Sequence, residues 1–247
     1  MPTVSQSPYI IIQARMGSTR LPAKVLLPLC GTTVLEVMLH RLSHFHSHII
    51  IATTNDGSEK DIIEVCKRMN VRYYQGDTEN VLARYYEAAV AFGAKSEDTI
   101  VRLTSDCPLM DQNILAQMLE RFGSSSWDYY SNIFQRTFPR GLDIEIFTFN
   151  ALERAFNGAA TTFETEHVTT YIHTTHADEF SIGSFTESDD HSKYRLTLDE
   201  QADYDAIQAV YKQFACRLDF TYDELLEVLR KNPQIYDMNV HVEQKKQ

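Results

Sequence analysis

Arg15, Arg20 and Lys24 fall within one short stretch, IIIQARMGSTRLPAKVL, which covers residues 10–26. The chain holds 34 acidic residues and a formal net charge of −11, yet its first acidic side chain is Glu36. Three cations therefore crowd a loop that has no countercharge nearby in sequence. Gly17 and Ser18 in the same loop allow a ligand to approach the backbone closely, and backbone N–H groups near a helix start favour an anion. A triphosphate is the expected partner, because guanidinium forks match phosphate oxygens. The loop is not a Walker A motif: G-x-x-x-x-G-K-[ST] is absent and Lys24 follows Pro22 and Ala23. A G-x-G-x-x-G dinucleotide fingerprint is absent too. The alternative reading is a solvated basic loop, and the missing acidic neighbours weigh against it.

Two aspartates offer the complementary chemistry. Asp106 ends the apolar run TIVRLTSD, and Pro108 turns the chain immediately afterwards. Asp199 ends YRLTLD in the same manner. A carboxylate at a strand end that faces a triphosphate loop is a place for Mg²⁺, held by one or two carboxylates and phosphate oxygens. Both residues also precede helical patterns, so each alone could equally be a helix N-cap.

The elements that must position these groups are legible as far as about residue 127. YIIIQA, HIIIATTN, VRYYQG and TIVRLTSD read as strands. Between them lie helical patterns with one apolar face each: Leu35, Met38, Leu39 and Leu42; Ile62, Val65, Cys66 and Met69; NVLARYYEAAVAF; then Ile114, Leu115, Met118, Leu119 and Phe122. Near-continuous apolar strands followed by helices mean a parallel sheet covered on both faces, with ligands at the carboxyl ends of its strands. Beyond that point the rhythm changes. LDIEIFTF alternates as an antiparallel strand does, FETEHVTTYIHTT reads as helix, FSIGSFT and KYRLTL as strands, and two helical patterns follow. No Pro/Gly/Ser linker divides the chain. The expectation is one domain over residues 1–240, with an inserted subregion at about 128–190 and a frayed tail at 241–247.

Composition bounds the function. An apolar fraction of 43% is ample for a core, and the acidic balance argues against a nonspecific nucleic-acid binder. No run approaches the length of a membrane span and no signal-peptide pattern opens the chain, so a cytoplasmic protein is expected. Cys30, Cys66, Cys107 and Cys216 show no C-x-x-C spacing and are expected as reduced, buried thiols. His44, His46 and His48 lack nearby cysteines or paired carboxylates and read as solvated surface.

The opening stretch resembles the signature of the SpsF-type cytidylyltransferases of spore coat polysaccharide biosynthesis, relatives of the CMP-Kdo and CMP-sialic acid synthetases. The resemblance continues in register through GTTVLEVMLHRL, IATTN, GDTENVLARYYEAA, RLTSDCPLMD, YYSN, FPRGLDIEIF, ETEHVTTYI, RLTLDEQADYDAI and LRKNPQIYDMN. It implies a GT-A-like nucleotide-diphospho-sugar transferase fold, an α/β architecture with a mixed, mostly parallel sheet between helices. It implies transfer of CMP from CTP to an acidic sugar with release of pyrophosphate, dependence on Mg²⁺, and a homodimer. Carried onto this chain, it gives Ala14, Arg15, Gly17, Ser18, Arg20, Lys24 and Arg84 to the nucleotide, and Asp106 with Asp199 to the metal. Arg15, Lys24 and Asp106 are the residues expected to carry catalysis. Arg84 has a blander alternative as a helix-surface arginine, and Arg102 needs an anionic partner inside the site. Asp143, Glu145, Glu166 and His167 are weaker candidates for the acceptor, with solvent exposure or a structural role as alternatives. Three departures from the family pattern stand out: Ala23 replaces glycine, Asn80 replaces aspartate, and Arg140 replaces aspartate in P-x-G-L-D. Arg140 bears on which acid is accepted. Two rivals stay open, a glycosyltransferase of the same fold that uses a finished nucleotide-sugar and a noncatalytic nucleotide-binding module.

Overall fold

The computed structural model describes residues 7–244. Strand β1 (Tyr9–Gln13) is followed by a short hairpin, β2 (Pro28–Leu29) and β3 (Thr32–Thr33), and by helix α1 (Val34–Arg41). Then come β4 (Ile49–Thr54), α2 (Lys60–Met69), β5 (Arg72–Gly76), α3 (Val81–Ala91), β6 (Thr99–Thr104) and α4 (Gln112–Gly123). The second part holds β7 (Tyr129–Ser131), β8 (Glu145–Thr148), α5 (Phe149–Gly158), α6 (Thr162–His167) and β9 (Ile182–Ser184). Helices α7 (Gln201–Gln213), α8 (Tyr222–Lys231) and α9 (Pro233–Asn239) close the described chain.

Seven strands form one sheet in the order β5-β4-β1-β6-β8-β7-β9. The first four in that order are parallel, β8 is antiparallel to both β6 and β7, and β9 runs parallel to β7. Segment 128–190 thus extends the same sheet. Alternation decides which core each strand residue joins. Ile10, Ile12, Ile49, Ile51, Val101 and Leu103 pack under α1, α2, α4, α7 and α8, whereas Ile11, Ile50, Ala52 and Ile100 pack under α3 and α5. Leu35, Met38 and Leu39 are fully buried, each contributing about 1.5–3 kcal/mol of transfer free energy.

The connections create the ligand crevice. From β1 the chain steps outward to β4 and β5, then returns to β6 on the other side of β1. That reversal opens a crevice at the carboxyl ends of β1 and β6. Gln13 pairs with Thr104 across them, so the basic loop and the Ser105–Asp106 turn leave the sheet side by side.

Four expectations need correction. Cys30, in the β2–β3 turn, is disulfide-bonded to Cys216 after α7, because the fold brings together residues 186 apart; Cys66 and Cys107 are buried free thiols. FETEHVTTYIHTT is not one helix: α6 stops at His167, Val168 takes a left-handed φ of 63°, and a π-helical turn follows at Tyr171–Thr175. KYRLTL forms no strand: among the described residues it joins no sheet and makes one isolated bridge, between Arg140 and Arg195. The basic loop runs into a three-residue 3₁₀ turn, Lys24–Leu26, and α1 starts only after the hairpin. The loop's charge therefore comes from side chains and not from a long helix dipole. Of the tail at 241–247, residues 245–247 lie outside the described residues, while Val242 is buried and Gln244 accepts a hydrogen bond from Arg195 at 2.5 Å.

Candidate active site

The countercharges missing from the sequence around the basic loop arrive through the fold. The Leu198 backbone N–H donates to the Asp106 carbonyl at 2.8 Å, which lays the segment before α7 against the end of β6. Lys24 reaches both carboxylates: its Nζ lies 2.7 Å from Asp106 Oδ2 and 2.9 Å from Asp199 Oδ1. Arg20 approaches Asp199 Oδ1 at 3.2 Å and Glu200 at 3.1 Å. Arg195, which sequence reasoning passed over, holds Asp199 Oδ2 at 2.8 Å. Arg195 is in turn gripped by the fully buried Asp203, which also accepts from the Asp199 and Glu200 backbone N–H groups at 3.0 Å each. Neither Asp106 nor Asp199 is an N-cap; Asp111 caps α4 and Glu200 precedes α7.

The electrostatics follow from this clustering. Burial opposes charge on Lys24, but Asp106 and Asp199 outweigh it and raise the pKa above the ordinary lysine value. Burial likewise opposes charge on Asp199, but Lys24, Arg20 and Arg195 hold its pKa below the ordinary carboxylate value. Lys24 and Asp199 are therefore both charged at neutral pH.

Beside it lies a cavity of about 320 Å³, lined by Ala14, Arg15, Gly17, Ser18, Arg20, Lys24, Arg84, Asp106 and Asp199. Every loop residue singled out for the nucleotide is on its wall. Arg15 is exposed. Arg84 is no surface residue: it is only 1% exposed, and among the described residues its Nε and Nη1 have no hydrogen-bond partner. Burial lowers its pKa, and the positive charge of Arg15 lowers it further. A buried cation with unpaired donors, facing another cation across a cavity, is an arrangement that an anion completes. Asn80 caps α3 by accepting from Ala83 N–H at 2.8 Å, a role Asp and Asn fill equally well. Ala23 has a left-handed φ of 53°, a conformation in which glycine carries no steric penalty.

A second cavity of about 470 Å³ shares Arg15, Arg20, Arg84, Asp106, Glu166 and Asp199 with the first and extends toward Arg140, Asp143, Glu145 and His167. Glu145 does not face solvent. It is 2% exposed and paired with Arg102, while Tyr129 and Thr169 hydroxyls donate to it at 2.7 and 2.5 Å. Burial would raise its pKa, but these partners, Arg102 foremost, hold it below the ordinary value. Glu145 and Arg102 thus brace the cavity floor. Arg136 grips Asp143 through two hydrogen bonds of 2.6 and 3.1 Å. The Arg140 side chain has no such ion pair among the described residues, and its backbone is pinned by Tyr194 and Leu196. Burial and the neighbouring Arg136 lower its pKa. Gly141 follows at φ 98°, where a Cβ would collide with the Leu196 backbone. His167 packs edge-on against Phe163 at 4.9 Å. Arg136 and His173, which also line this cavity, carried no motif signal in the sequence, whereas Thr169 beside them belongs to the ETEHVTTYI block.

The donor set suits a hard divalent cation. Two carboxylates from distant segments converge on one positive charge, and Asp106 Oδ1 faces only the weak thiol donor of Cys107 at 3.5 Å. Among the described residues no cluster of three or more His, Cys, Asp or Glu gathers as a closed metal cage.

The cytidylyltransferase family profile matches residues 9–246. The spore coat polysaccharide biosynthesis protein SpsF of Bacillus subtilis is 34% identical over 239 residues, covering 90% of this chain and 94% of its own. A cytidylyltransferase from Leptospira borgpetersenii superposes with a TM-score of 0.89 at 36% identity, covering 98% of this chain and 99% of that one. CMP:2-keto-3-deoxy-manno-octonic acid synthetase, in a complex with CTP, shares the fold with a TM-score of 0.65 at 15% identity, over 85% of this chain and all of that one. A match of nearly full length, carried through both the parallel half and the antiparallel extension, means that the chain belongs to the cytidylyltransferase family of CTP-using nucleotidyltransferases.

Proposed function

We propose that this enzyme transfers CMP from CTP to an acidic sugar of the keto-deoxy acid type, releasing pyrophosphate, in the synthesis of a surface polysaccharide. The observation that carries this reading is the pairing of two cavities that share a wall: one ringed by Arg15, Arg20, Lys24 and Arg84, the other opening on Arg140. The first suits a triphosphate and the second an acceptor that bears its own negative charge. Relatives point the same way, since one is named for spore coat polysaccharide biosynthesis and another for a keto-deoxy octonic acid.

In the proposed reaction an acceptor hydroxyl attacks the α-phosphorus of CTP in line with the bond to the β-phosphate. The new O–P bond forms as the bond to pyrophosphate breaks, and the hydroxyl proton leaves to solvent or a phosphate. The chain's own work is positioning and charge neutralisation. Arg15, Arg20 and Lys24 hold the phosphates and stabilise the departing pyrophosphate, Arg84 pairs with the nucleotide from beneath, and Arg140 orients the acid. Asp106 and Asp199 would hold Mg²⁺, which when bound polarises the reacting phosphate as a Lewis acid.

The test is a pyrophosphate-release screen of four nucleoside triphosphates against keto-deoxy sugar acids and other carboxylate or phosphonate acceptors. Release with CTP and an acidic sugar, and none with CTP alone, supports the reading. Consumption of a finished nucleotide-sugar without pyrophosphate would instead establish a glycosyltransferase. CTP binding with no turnover across the panel would establish a noncatalytic module. Lys24→Ala or Asp106→Ala should reduce turnover by at least about 10²-fold with the circular dichroism spectrum unchanged. Either variant at the wild-type rate sinks the site assignment.

A further inference from the structure

Lys24 occupies the point on which Asp106 and Asp199 converge, at 2.7 and 2.9 Å. Both oxygens of Asp199 are taken: Oδ1 by Lys24 and Arg20, Oδ2 by Arg195. An ammonium group has no lone pair and cannot be a ligand, and two cations cannot share a pair of carboxylates at this range without strong repulsion. A divalent cation bridging Asp106 and Asp199 and an ammonium bridging the same two residues therefore exclude each other. Arg195 is fixed from behind by Asp203, which leaves Lys24 and Arg20 as the side chains free to depart. Their destination adjoins them, since both line the cavity shared with Arg15, Ser18 and Arg84, whose Nε and Nη1 have no partner among the described residues. Lys24 has a flexible four-carbon stem, so rotation of its side chain carries the charge across without moving the sheet.

We propose that Lys24 is a built-in countercation that competes with a divalent metal for Asp106 and Asp199, and that the phosphates of the nucleotide free the site by drawing Lys24 away. The inference rests on the proposed reaction only in taking phosphates and a metal as the two ligands. Because both favour the same displaced Lys24, each tightens the binding of the other, by about tenfold or more, within the range usual for coupled sites. The protein alone then binds divalent cations weakly, and the metal enters together with its nucleotide.

The experiment measures Mn²⁺ binding to the full chain in the absence of nucleotide, by the electron paramagnetic resonance signal of free Mn²⁺. Lys24→Met should bind Mn²⁺ at least about tenfold more tightly than the wild type, a gain of the size expected for removing one competing charge. Adding Asp106→Asn to that variant should abolish the gain. A Lys24→Met protein that is folded and binds Mn²⁺ no more tightly than the wild type overturns the proposal. Wild-type protein provides a second readout that needs no variant. Saturating Mn²⁺ should speed reductive methylation of Lys24, followed by peptide mass spectrometry, and an unchanged rate also overturns the proposal. No CTP or acceptor is present, so failure of the pyrophosphate screen leaves this test standing. Normal turnover with no gain in Mn²⁺ affinity refutes the exchange alone.

Discussion

Replacing Arg84 with methionine should make the protein more stable and a worse nucleotide binder. Arg84 is 1% exposed, and among the described residues its Nε and Nη1 have no partner. Leaving a buried donor unsatisfied costs about 1–3 kcal/mol, and more when the group is charged. Methionine keeps a stem of similar length to pack against Gly76, so little packing is lost to set against that gain. The expected net effect is a stabilisation of about 1–3 kcal/mol, and for a chain of this size each kcal/mol moves Tm by about 2–4 °C. The same substitution removes a charged donor from the phosphate cavity. A hydrogen bond to a charged group contributes about 1.5–3 kcal/mol, so the Kd for CTP should rise about 10- to 150-fold. Urea and thermal unfolding without nucleotide give the first quantity, and titration calorimetry with CTP gives the second. If Arg84→Met loses more than about 1 kcal/mol and still binds CTP as the wild type does, Arg84 is a structural residue and the reasoning fails.

Ala23→Gly should be neutral to slightly stabilising, by about 1 kcal/mol or less, because the left-handed φ of 53° penalises a Cβ by more than glycine's added chain entropy costs. A urea midpoint clearly below wild type would contradict this. Glu36 sets an acid limit. Burial opposes its charge, but hydrogen bonds from Thr32, Arg68 and Thr33 bring its pKa from 4.5 down to about 2. Its contribution is complete above pH 4.5 and fades as pH falls toward 2, so Glu36→Gln should flatten that part of the stability–pH curve and lower stability at pH 7. Unchanged acid unfolding would refute the assignment. Under non-reducing denaturation two cysteines should titrate, Cys66 and Cys107, and four after reduction. Breaking the Cys30–Cys216 bond should cost about 2–4 kcal/mol, read from the fall in Tm, and four reactive thiols at the outset would show that the bond does not form.

The order of elements and the chemistry of the loop were legible from local pattern. Ile10, Ile11 and Ile12 are a buried parallel strand because three successive branched apolar residues can be satisfied only by a sheet covered on both faces. Leu35, Met38 and Leu39 recur at helical spacing and are buried as that spacing requires. The cation set Arg15, Arg20 and Lys24 was visible because charge density along a chain is itself a sequence property. Two segments departed from their local pattern. Val168 breaks a helical reading with a left-handed φ, and KYRLTL is held through backbone hydrogen bonds to Arg140 and Asp106, with no place in a sheet among the described residues.

Pairing is what only the tertiary structure decided. Along the chain Lys24, Asp106 and Asp199 are isolated charges, and each has a plausible life as surface or cap. Folded, the Lys24 ammonium lies within 3 Å of both carboxylates because β1 and β6 are neighbours at the point where strand order reverses, and because Leu198 is hydrogen-bonded to Asp106. Arg84 is the opposite case: in sequence a helical arginine that only the family motif ties to the nucleotide, it becomes a buried cation whose Nε and Nη1 have no partner among the described residues once α3 packs beside the crevice. Charge type is written residue by residue. Whether a charge is matched or left waiting for a ligand depends on distances between segments far apart in the chain, and those exist only in the fold.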